Sequence, residues 1–133
     1  MGYLGIIIAA IAQVIIGSLW YGPFFGDTWM KLSGIKKPKV ITSEIKRKMI
    51  GSYIWMFIGA IVMSYVLKIV ILQFPFASVA GVSITALIVW LGFIVPVQAG
   101  TVLWEGKPFK LYILNITYYL VTMVVSALIL LKI

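Results

Sequence analysis

Ile69–Trp104 reads IVILQFPFASVAGVSITALIVWLGFIVPVQAGTVLW and holds no charged residue. A helix rising 1.5 Å per residue needs about 20 apolar residues to cross the hydrocarbon core of a bilayer. The run is too long for one crossing, and it contains its own divider. Gln73-Phe74-Pro75-Phe76 sets a proline, which has no N–H to donate, among aromatic rings that favour the membrane–water interface. The reading is the end of one helix, a tight interfacial turn and the start of another.

Three further apolar runs flank it. Met1–Gly26 carries no charge, nor does Met49–Leu67, nor Leu111–Leu131. Together they predict an all-α, polytopic membrane protein. We expect a four-helix transmembrane bundle with short hairpin loops, folded as one domain over residues 1–133. The spans fall at about 4–21, 49–72, 77–104 and 109–131. The composition agrees: 63% of residues are hydrophobic and 11% charged, against about half and a quarter in soluble domains. The first run has no basic segment before it and no small-residue cleavage site after it, so it reads as a span rather than a signal peptide.

Between the first two spans lies a polar stretch, about 27–48. Gly22-Pro23-Phe24-Phe25-Gly26 is expected to end the first helix. Asp27 or Thr28 then caps a short interfacial helix, Trp29–Leu32, stopped by Gly34. Thr42 or Ser43 is the expected N-cap of the second span, with Glu44 in its first turn. Trp20, Tyr21, Pro23 and Trp29 form an interfacial motif at the first turn.

Charge gives orientation. The net charge is +8, yet seven of the basic residues lie between Lys31 and Lys48, and Lys107 and Lys110 lie in the third loop. Lys68 and Lys132 belong to the other side. Basic loops stay cytoplasmic, so the long loop is expected inside and both termini outside, in the plasma membrane. Such a cluster faces anionic lipid heads rather than nucleic acid.

The chain has no Cys and no His, which removes thiol and imidazole chemistry and the commonest metal ligands. Its acids are Asp27, Glu44 and Glu105, on separate segments. No catalytic constellation, cofactor or metal site is predicted. The candidate site is instead a polar layer inside the membrane. Gln98 is six residues from Trp104 and Asn115 six from Phe109, each about 9 Å along its helix; Gln13 is eight from Tyr21, about 12 Å. With Tyr118 these amides are expected at one level, bonding each other as interhelical glue or lining a small polar pocket. Glu105, in the turn Glu105-Gly106-Lys107-Pro108, reads as a solvated acid near Lys107 and Lys110, or as a gate over that layer. On the third span Ala77, Gly81, Thr85, Gly92, Pro96 and Gly100 suggest one thin packing face. Pro96 deprives the Gly92 carbonyl of its partner, so a kink is expected there.

These blocks taken in order resemble the DUF1761 family, small four-helix integral membrane proteins whose domain has no assigned function. The resemblance rests on Gly17-Ser18-Leu19-Trp20-Tyr21-Gly22-Pro23 with Phe25-Gly26 and Trp29-Met30. It continues through Trp90-Leu91-Gly92-Phe93 with Pro96, Glu105-Gly106-Lys107, and Asn115 with Tyr118. The chain departs from the family pattern at Asp27, where a basic residue is usual. The resemblance implies the four-span fold and no activity.

The reading is therefore a non-enzymatic membrane module that binds lipid, or that associates with itself or with a membrane-protein partner. The alternative is an oligomeric channel or transporter for ions or small solutes. Gln13 cannot titrate, which argues against proton coupling in the first span. Orientation is checked by single cysteines at Ser33 and Ile133, treated with an impermeant thiol reagent on intact cells. The Ile133 site should label and the Ser33 site should be protected; the reverse pattern overturns the orientation.

Overall fold

The computed structural model describes residues 3–36, 38–74 and 77–133, and these contain helices and no strand. Helix α1, Leu4–Leu19, leads into a wide turn, Trp20–Phe24, that is kinked at Gly22, whose backbone angles are non-helical. A short helix α2, Gly26–Ser33, follows. Helix α3 is Ser43–Leu72, α4 is the irregular rod Val79–Leu103, and α5 is Phe109–Lys132. Four of these are long and apolar enough to cross a membrane: Leu4–Phe24, Ser43–Leu72, Val79–Leu103 and Phe109–Lys132.

Local chemistry sets the ends. The first turn of a helix has amides without intrahelical acceptors, which a side-chain oxygen can satisfy. Thr42 Oγ1 accepts from the Ile45 amide at 3.2 Å and starts α3. Ser78 Oγ accepts from the Gly81 amide at 3.0 Å and starts α4. Gly34, at φ 74°, ends α2 in the left-handed conformation that suits glycine. Helix α2 departs from expectation at its start. Its N-cap is Phe25, with no side-chain cap, so Asp27 and Thr28 sit inside the first turn instead of capping it. Of the divider between α3 and α4, Gln73 and Phe74 turn off the helix through amide bonds to Val70 O and Ile71 O. Pro75 and Phe76 lie outside the described residues.

Helix α4 is not an even rod. Val79–Val89 is α-helical, and Trp90–Ile94 is a π-helical turn in which the Val95 amide reaches back five residues to Trp90 O. The rod then resumes as Val95–Gln98 and Gly100–Leu103. The irregularity beside Pro96 is thus a widened turn. It also divides the expected thin face. Thr85 is buried, Gly81 is half-buried, and Gly92 and Pro96 are exposed. A Cβ on Gly92 would meet nothing within 4 Å, and one on Gly100 only Trp104 at 3.9 Å. Six residues spaced for a uniform helix do not share a face once one turn holds an extra residue.

Helices α1 and α5 pack along each other. Helix α3 lies mainly on α1 and α4 mainly on α5, while α3 and α4, successive in the chain, scarcely touch. The cross-section is therefore an open row, α3–α1–α5–α4, more than a closed square. The core fills the half of the molecule nearest the termini: Ile6 and Ala9, Leu67, Val82 and Ala86, Met123, Ala127 and Leu130. Small residues allow close approach here; Ala9, Ala86 and Ala127 have no exposed surface. The outer surface is apolar, with Trp55 and Phe93 more than 70% exposed, which suits lipid as the surrounding solvent.

Two glycines give opposite expectations. A Cβ on Gly26 would stand 2.8 Å from the Tyr21 carbonyl oxygen, a backbone atom that cannot step aside. Gly26→Ala should lose about 1–3 kcal/mol of stability. A Cβ on Gly51, within α3, would meet nothing, so Gly51→Ala should be neutral or gain up to about 1 kcal/mol. Reversible unfolding in mixed micelles measures both, and equal effects would refute the assignment.

Candidate functional site

Beneath the packed half, toward the long loop, the helices part around a cleft of about 850 Å³. Its innermost group is Gln13. The Gln13 side-chain amide donates to Ser64 Oγ at 2.8 Å and to Ser126 Oγ at 3.1 Å, both fully buried. Both amide protons are used, and one side chain ties α1 to α3 and α5. An amide left bare in hydrocarbon costs several kcal/mol, so this three-way contact fixes the rotation of three helices together.

Nearer the loop, Tyr21 Oη donates to Asn115 Oδ1 at 2.7 Å. Tyr118, buried, sets its ring edge-on to Tyr21 with centroids 5.1 Å apart, and its hydroxyl lies 3.5 Å from the Gln13 carbonyl. Trp29 of α2 packs edge-on against Tyr21 at 5.4 Å and closes this end. Gln98 lines the same cleft. Its side chain is half-buried and makes no hydrogen bond among the described residues. Two bonds hold α4 in place beside the cleft: Trp90 Nε1 to Ile116 O at 2.7 Å, and Tyr112 Oη to Val95 O at 2.8 Å.

Gln13, Gln98, Asn115 and Tyr118 therefore share one cavity, but not as one layer. No amide bonds another amide. Gln13 meets Ser126, eleven residues and about 16 Å of helix beyond Asn115. The residue level with Asn115 is Tyr21. Tyr21 itself stands level with Asn115, six residues into α5, so measuring depth from Tyr21 placed Gln13 too shallow. Glu105 is exposed in the turn after α4 and does not line the cleft. It forms no ion pair with Lys107 or Lys110 among the described residues. Trp20 and Pro23 also lie away from the cleft; Pro23 is exposed in the wide turn, and Trp20 packs at a tilt against Phe25 with ring centroids 4.7 Å apart.

Two features escaped the sequence reading. Ser64 and Ser126 are unremarkable in apolar helices, because a serine can satisfy itself on its own backbone. Their position one turn from Ala60 and beside Ala127 was the available signal of burial. On α3, Met49, Met56 and Met63 recur every seven residues, which puts them on one face, and all three line the cleft. Methionine is flexible and polarizable and accepts varied apolar shapes. The lining includes no Asp, Glu, Lys or Arg.

Four helices long and apolar enough to cross a membrane suit a multi-span membrane protein. The chain belongs to the DUF1761 family, described as a protein of unknown function, whose model matches residues 4–131. Neither a curated protein nor a solved structure matches it.

The two polar contacts should differ in weight. Gln13→Leu leaves two buried hydroxyls without their donor and should lower unfolding free energy by about 1–2 kcal/mol. Asn115→Leu frees a half-buried tyrosine hydroxyl beside an open cleft and should cost less than about 1 kcal/mol. Unfolding of the two variants in mixed micelles gives the order, and a costlier Asn115→Leu would contradict it.

Proposed function

We propose that the protein is a non-enzymatic binding module whose cleft takes an amphipathic lipid with an uncharged, hydrogen-bonding head. The carrying observation is the composition of the cleft wall. Gln98, Asn115 and the tyrosine hydroxyls offer donors and acceptors without charge, and the methionine face of α3 offers apolar contact. A pocket that is mostly apolar with a few placed polar groups is the usual form of a small-molecule site. With the basic loop at the cytoplasmic face, the cleft opens toward the inner leaflet. A channel has less support. Beyond Gln13 the path meets the Ser64 and Ser126 contacts and then the packed core of Ala9, Ala86 and Ala127.

Gly59 lines the cleft, and a Cβ there would meet nothing within 4 Å. Gly59→Phe therefore sets a ring at the cleft wall from a position where a Cβ is unhindered. Gly51→Phe, on the same helix but outside the cleft, is its control. Native mass spectrometry of protein extracted in mild detergent should find a neutral lipid on the wild type and on Gly51→Phe. Gly59→Phe should retain about tenfold less. Equal retention by all three would refute the reading. Conductance in planar bilayers that Gly59→Phe abolishes would assign a channel instead.

A further inference from the structure

A second cleft, of about 570 Å³, lies on the other side of the α1–α2 turn. Its wall joins two elements distant in sequence. Thr28, Lys31 and Leu32 come from α2; Lys110 comes from the first turn of α5, followed one turn deeper by Ile113 and Leu114. Two lysines thus converge on one apolar recess. The chain's three acids, Asp27, Glu44 and Glu105, are all absent from its lining. An anion held between them is attracted to both. Trp20 lines the same recess, and its indole N–H is buried with no acceptor among the described residues. Such a donor is costly to leave unmade.

The levels of these groups identify the anion. Lys31 and Lys110 stand at the loop end, where headgroups lie. Ile113, 42% exposed, and Leu114 stand where an acyl chain begins. A free phosphate would gain nothing from the apolar part. From this geometry we infer that the recess is a binding site for an acidic phospholipid, its phosphate between Lys31 and Lys110 and one chain along Ile113. The site is separate from the central cleft and does not depend on what that cleft holds. Helix α2 forms part of both walls, Trp29 facing the central cleft and Thr28, Lys31 and Leu32 the recess.

The full chain is incorporated into nanodiscs holding equal phosphatidylglycerol and phosphatidylcholine with the same acyl chains, then released, and retained lipid is counted by native mass spectrometry. Phosphatidylglycerol should be favoured on the order of tenfold. The double variant Lys31→Gln with Lys110→Gln should lose that preference. Lys31→Arg with Lys110→Arg should keep it, which excludes misfolding as the cause. Lys46→Gln with Arg47→Gln, basic positions outside the recess, should keep it, as should Gly59→Phe. Three results would each overturn the site: no preference in the wild type, equal loss in the Lys46/Arg47 variant, or displacement of the lipid by millimolar inorganic phosphate.

Discussion

In hydrocarbon no water competes for a polar group, so a buried donor without a protein partner is costly. Gln13 turns that demand into architecture. Its amide reaches Ser64 and Ser126 at once, and it can do so only if α1, α3 and α5 hold one mutual rotation. The alanines on the terminal side of this contact then fall face to face, and the larger residues on the loop side are held apart. A packed half and an open half follow from one side chain satisfied by two.

The open half is also a consequence of unequal pairing. Helices α1 and α5 form the spine, and α3 and α4 attach to opposite flanks. Because α3 and α4 hardly meet, the gap between them supplies both the central cleft at the loop end and an apolar groove of about 880 Å³ lined by Val66, Val70, Ile84 and Phe93. Helix association within membranes gains little from hydrophobic burial and depends on small residues and polar bonds. Helix α3 offers α1 the buried Ala60 and Ser64, whereas toward α4 it presents bulkier side chains. That difference accounts for the open row.

The fold was largely legible because span length is a physical constraint that leaves a plain mark: four charge-free runs and a proline-bearing divider. The amides that line the cleft could be picked out for a similar reason, since polar side chains are few in these spans and can be enumerated. Their partners were not. Gln13 bonds serines that no pattern singles out, and its depth depended on where α1 ends. At Gly22, φ −112° and ψ −105°, the chain kinks where the Gly22-Pro23 pair was expected to end the first helix; what composition does not encode is that Tyr21 stands level with Asn115. The face of α4 was misjudged because periodicity assumes an even turn.

That uneven turn has a further consequence. Trp90–Ile94 accommodates one residue more than an α-turn, so everything beyond it is out of phase with Val79–Val89 by about 100°. Gln98 looks into the cleft on the far side of this phase slip. Removing a single residue between 90 and 94 would restore an even winding and swing the amide away. In this helix an insertion or deletion is a change of direction before it is a change of length.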